Sequence, residues 1–63
     1  MNMYYIELEH GCAIKVAASL DDAWRMAYAA SDDENRVESV AIATEDDIRW
    51  VKSMGGHIPA VES

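Results

Sequence analysis

The chain has no Phe, one Cys, one Pro and three Gly, and its five Lys and Arg stand against twelve Asp and Glu, a formal net charge of −7 over 63 residues. Each scarcity excludes something. One Cys cannot close an intramolecular disulfide, so the cross-links that reinforce small secreted domains are missing and the cytoplasm is the expected compartment. The opening Met1-Asn2-Met3-Tyr4-Tyr5-Ile6-Glu7 has no basic region and meets Glu7 before an apolar run of signal-peptide length develops. No apolar run approaches the ~18 residues of a membrane span, so no membrane partner is expected. The shortage of cations disfavours direct binding to nucleic acid, whose affinity comes mostly from Lys and Arg on phosphates. The acidic balance fits a basic partner, or solubility alone. Gly, Ser and Pro are too few to form a linker, and residues 1–63 read as a single small α+β domain. At this size folding buries only about 60% of the unfolded chain's surface, which leaves little stability for an elaborate active site.

The apolar content is 51%, enough to argue against disorder despite the charge. Tyr4, Ile6 and Leu8 alternate with Tyr5, Glu7 and Glu9, the period-two pattern of a half-buried strand over residues 3–9. Residues 12–17 repeat it, with Cys12, Ile14 and Val16 on one face and Ala13, Lys15 and Ala17 on the other. A two-residue loop at His10-Gly11 would pair Ile6 with Lys15 and put the apolar residues of the two strands on opposite faces. A three-residue loop, Glu9-His10-Gly11, sets Leu8 opposite Cys12, Ile6 opposite Ile14 and Tyr4 opposite Val16, with Gly11 where a type I turn plus bulge needs the left-handed conformation.

Ser19 is placed to cap a helix, with Asp22 three residues on, and Leu20, Ala23, Trp24, Ala27 and Tyr28 follow at helical spacing to about Ala30. After a polar turn, Arg36–Ala43 reads as a third strand, with Val40 and Ile42 on one face and Val37, Ala41 and Ala43 on the other, so that its pattern leaves two registers open. Thr44 opens a shorter helix that Gly55-Gly56 ends, leaving His57–Ser63 as a tail or a short edge strand. The order is ββαβα. A right-handed crossover sets the third strand parallel to the second with the first between them, order 2-1-3, a two-layer sandwich of an antiparallel sheet and two helices. In it Leu20, Trp24 and Ala27 meet Ile6, Ile14 and Val40 or Ile42, and the second helix joins that layer or packs at an edge.

Eight of the twelve acids fall in three clusters: Asp21/Asp22, Asp32/Asp33/Glu34 and Glu45/Asp46/Asp47. The first and third open helices, where the macrodipole stabilises each carboxylate by ~0.3–1 kcal/mol. The middle cluster follows a helix C-terminus, where the dipole disfavours it, so helix electrostatics does not account for it. In the 2-1-3 topology the first and third clusters share one end of the sheet and the middle one lies at the other, beside Glu9 and His10. Two acidic poles result, suited to a groove of Lys and Arg that otherwise holds phosphates. Anchors for such a contact are Tyr5, Tyr28, Trp50 and Met54, because aromatic and Met side chains are enriched at contact hot spots.

Little points to catalysis or to a cofactor. Cys12 is expected to be a small buried residue with no neighbour that activates its thiol. His10 and His57 read as exposed loop residues, and His10-x-Cys12 supplies only two metal ligands. Glu45-Asp46-Asp47 lacks the spacing and Gly of a calcium loop, and no phosphate-binding Gly loop or nucleophile elbow is present. No catalytic, cofactor-binding or metal site is expected.

The segment Val16-Ala17-Ala18-Ser19-Leu20-Asp21-Asp22-Ala23-Trp24-Arg25-Met26-Ala27, a strand running straight into a capped helix after a hairpin, resembles small inhibitors made by phages and mobile elements. Among these are type I anti-CRISPR proteins of similar size and ββαβ order, and small phage inhibitors of host RNA polymerase. The resemblance spans roughly residues 3–43. It implies a protein of the bacterial cytoplasm and, with the charge of −7, the acidic members that occupy positively charged DNA-binding surfaces. It carries no site residue onto a position of this chain. The expected function is thus a non-enzymatic inhibitor of a nucleic-acid-binding complex, foremost a CRISPR-Cas surveillance complex. Its contact residues are Asp21, Asp22, Asp32, Asp33, Glu34, Glu45, Asp46, Asp47, Trp50 and Tyr5. The alternative is an interaction module without mimicry, a homodimer closing over an open sheet face of Tyr5, Glu7, Ala13, Lys15 and Ala17.

Overall fold

The computed structural model describes residues 1–60 and contains β1 (Asn2–Leu8), β2 (Gly11–Ala17), α1 (Leu20–Ala30), β3 (Val37–Ile42) and α2 (Glu45–Ser53). The strands form one antiparallel sheet in the order β2-β1-β3, the α+β architecture expected from the sequence. Residues 57–60 take no regular structure, and the remainder of the suggested tail or edge strand lies outside the described residues.

The hairpin register differs from the expectation by one residue. Only Glu9 and His10 form the turn, so Leu8 pairs with Gly11, Ile6 with Ala13 and Tyr4 with Lys15. Gly11 takes the positive φ, 146°, that lets β2 begin directly after the turn. A one-residue slip sends a whole strand's side chains to the opposite face. Tyr4 and Ile6 therefore share a face with Ala13, Lys15 and Ala17, while Cys12, Ile14 and Val16 turn to the reverse face with Tyr5 and Glu7.

The physical reason is that both faces are covered, each by its own helix. On the first, Ala23 and Ala27 of α1 are fully buried against Tyr4, Ile6, Ala17 and Val40, with Leu8, Trp24 and Val37 packed around them. Two alanines one turn apart bring the helix backbone close to the sheet. Leu20, expected in this core, is instead exposed, and of the two residues offered by β3 Val40 is buried while Ile42 is 55% exposed. Ile14 is buried as well, but its parity puts it on the reverse face, where α2 packs against β2 and buries Val51. The second helix thus sits at an edge strand, on the side away from α1, and does not join the α1 layer.

The caps are local and complete. The Ser19 hydroxyl accepts from the Asp22 amide at 3.2 Å. Thr44 and Asp47 close a reciprocal capping box, the Thr44 hydroxyl accepting from the Asp47 amide and the Asp47 carboxylate from the Thr44 amide. At the far end of α2 the Gly56 amide donates to Val51 and the Gly55 amide to Lys52, a Schellman pair with Gly55 at φ 79°. Gly56 has a packing reason too, since a Cβ there would lie 2.6 Å from the Val51 side chain.

Candidate functional site

The sheet places the three acidic clusters where the topology required. Asp21/Asp22 and Glu45/Asp46/Asp47 open α1 and α2 at the end of the sheet where Ala17 pairs with Asn2 and Ile42 with Tyr4. Because the helices lie on opposite faces, those two clusters share an end of the sheet without sharing a face. All three residues of the third cluster have partners within the chain. Asp47 serves the capping box, while Glu45 and Asp46 both face Arg49 at 3.9 Å, pairs so exposed that they add little stability.

The middle cluster is built differently. The α1 helix ends at Ser31, whose hydroxyl donates to the Tyr28 carbonyl at 2.8 Å, and the helix has no basic residue in its last turn. Asp32 and Asn35 then exchange backbone hydrogen bonds at 3.2 Å, and Oδ1 of Asp32 accepts from the Glu34 amide at 2.9 Å. This tight turn is tied to the β1–β2 turn: the His10 amide donates to Oδ1 of Asn35 at 2.8 Å and the Glu9 amide to the Arg36 carbonyl at 3.0 Å. Asp32, Asp33, Glu34 and Glu9 are all exposed at this pole. These hydrogen bonds hold the loop that carries the carboxylates, so its backbone has little conformational entropy left to lose when a partner binds.

Beside the cluster, between the end of α1 and the start of β3, lies an open groove of about 400 Å³ lined by Tyr28, Ser31, Asp32, Asp33, Arg36 and Val37. Tyr28 is 62% exposed, yet its ring is supported by Trp24, with centroids 5.7 Å apart. Trp24, expected in the core, is half-buried and packed against it. Asn35, which ties the loop down, and Arg36 and Val37, which line the groove, were not singled out from the sequence. The Asp and Asn of this polar turn signal only local turn bonds such as that of Asp32 with the Glu34 amide, and not a tie across 25 positions.

The aromatic candidates are scattered. Trp50 is 56% exposed on the outer side of α2, one turn from exposed Met54. Tyr5 is half-buried on the reverse face, in the neighbourhood of Cys12, Glu7 and Asp47. The corrected register also dissolves the open face of Tyr5, Glu7, Ala13, Lys15 and Ala17. Tyr5 and Glu7 belong to the face that carries α2, and Ala17 is buried under α1.

Tyr5 makes one pH prediction. The neighbouring Cys12 thiol, then burial, then the charges of Cys12, Glu7 and Asp47 push its pKa up from 10.0 to about 12. A tyrosine in the unfolded chain ionises near 10, so between about pH 10 and 12 the unfolded state holds fewer protons and stability falls as pH rises. Urea unfolding at pH 9 and pH 11 is expected to show that fall in the wild type and a smaller one in Tyr5→Phe. Equal falls in the two proteins would contradict the assignment.

Cys12 is half-buried and His10 and His57 are exposed. No group of three or more His, Cys, Asp or Glu among the described residues is arranged to hold a metal ion, and no helix among them is long and apolar enough to cross a membrane. Comparison with protein-family models, curated proteins and solved structures finds no match to this chain.

Proposed function

We propose that this chain is a non-enzymatic inhibitor that docks an acidic pole on a basic, nucleic-acid-binding protein surface, foremost a CRISPR-Cas surveillance complex of the bacterial cytoplasm, and blocks DNA binding there. One observation carries the reading. Asp32, Asp33 and Glu34 are exposed beyond a helix C-terminus, where the dipole opposes them, and the chain nevertheless fixes them in a hydrogen-bonded turn beside Glu9. The charge of −7 speeds encounter with a basic surface, and the resemblance at the strand-to-helix junction supplies the class of target.

A nuclease-treated pull-down from a bacterial lysate containing a surveillance complex tests this. The wild type is expected to retain a nucleic-acid-binding complex, and the retained amount is expected to fall as salt is raised from about 50 to about 300 mM, in line with electrostatic screening. Retention that ignores salt counts against charge mimicry.

A second reading, an interaction module without mimicry, is favoured by the exposed Trp50 and Met54 on α2. In that case Trp50→Ala weakens binding and salt does not. Self-association must also overcome the repulsion of two chains of −7 each.

A further inference from the structure

We propose that the groove between the end of α1 and the start of β3 receives one arginine side chain of the basic partner surface, its guanidinium lying on the Tyr28 ring and facing Asp32 and Asp33. The proposal rests on the docking reading above and names the chemistry of the contact. The groove has one exposed aromatic ring, whose centroid lies 5.7 Å from that of Trp24, a half-buried apolar wall at Val37, and two carboxylates. Within the chain, Ser31 spends its hydroxyl on the Tyr28 carbonyl and Asp32 spends Oδ1 on the Glu34 amide. The second oxygen of Asp32 and the carboxylate of Asp33 face a cation with no such commitment, since both ion pairs found among the described residues are made by Arg49.

An occupant must carry positive charge to complement the carboxylates, a flat face to stack on Tyr28 and an aliphatic stem to lie along Val37. A phosphate or carboxylate is repelled by the pair of acids. Lysine has the charge and the stem but not the plane, whereas the arginine guanidinium stacks on aromatic rings and pairs with carboxylates through a fixed fork of donors. Arg36 also lines the groove and is exposed. Its charge opposes an incoming guanidinium, so removing it is expected to strengthen binding.

The probe is a blocked Gly-Arg-Gly tripeptide, with Gly-Lys-Gly beside it, titrated into the full chain and followed by amide chemical shifts. Saturable shifts confined to residues 28–37 are expected with the arginine peptide and weaker ones with lysine. Tyr28→Ala is expected to weaken binding about three- to fivefold, the fold-change of an exposed cation–π contact, and Tyr28→Phe to keep it. Arg36→Gln tightens binding, while Lys52→Gln, the same charge change on α2, does not. The amide spectrum of each variant reports whether it is folded. Absence of saturation, shifts spread equally over residues 21–22 and 45–47, or binding indifferent to Tyr28→Ala overturns the proposal. In that case a pull-down that still retains a basic complex leaves the docking reading standing. Saturation of the groove with no basic complex retained overturns the proposal on its partner and the docking reading with it.

Discussion

Ile6→Ala is expected to leave the protein largely unfolded at about 37 °C. Ile6 is 2% exposed at the centre of the middle strand, beneath α1. Removing its outer carbons costs ~2–5 kcal/mol through lost transfer energy and the cavity left behind. A domain of this length has roughly 3–9 kcal/mol in total, so the loss takes much of the margin and lowers the melting temperature by roughly 10–30 °C. Ile14→Ala is expected to cost a comparable amount, although Ile14 faces away from α1, because α2 makes the reverse face a second core. Ile42→Ala, at a side chain 55% exposed, is expected to stay within about 0.5 kcal/mol. Thermal melts of the three variants followed by circular dichroism check this. A neutral Ile14→Ala would show that the reverse face is not a core.

The second large effect is on binding. Combining Asp32→Asn, Asp33→Asn and Glu34→Gln removes three negative charges from the pinned loop, and the Asp32→Asn change keeps an Oδ1 able to accept from the Glu34 amide. The fold is therefore expected to persist. Loss of even ~0.5–1 kcal/mol per charge amounts to about ten- to hundredfold in affinity for a basic surface. Glu45→Gln with Asp46→Asn, at two residues that share Arg49 and sit at a helix start, is expected to cost far less binding. Titration calorimetry of both variants against the retained complex measures the difference, and equal losses would assign the effect to net charge and not to the pole.

Element order, helix boundaries, both helix caps and the strand order were legible because each rests on a local rule: alternation, helical spacing, Ser19 and Thr44 at N-caps, Gly55-Gly56 at a stop. The hairpin register was not. Matching apolar face to apolar face presumes one buried face, and the residue that breaks the presumption, Val51, lies 37 positions from Ile14 in the chain. Once α2 is known to cover β2, the apolar parity of Cys12, Ile14 and Val16 is what a second core requires. The same blindness to distant packing left Val40 and Ile42 as alternatives for this core, of which only Val40 is buried. At the candidate site the acids were legible as clusters and their two ends of the sheet as a consequence of topology. What was missed is the tie between Asn35 and the His10 amide, a contact across 25 positions that converts a polar loop into a fixed surface.

The most direct test is displacement. A labelled DNA duplex is bound to the nuclease-treated, purified complex that the protein retains, and unlabelled protein is added at low salt. Wild type is expected to release the DNA at concentrations near its own affinity, and the combined Asp32→Asn, Asp33→Asn, Glu34→Gln variant to need at least about tenfold more. If wild type binds the complex while the DNA stays in place, the protein does not occupy a nucleic-acid surface and the account is wrong.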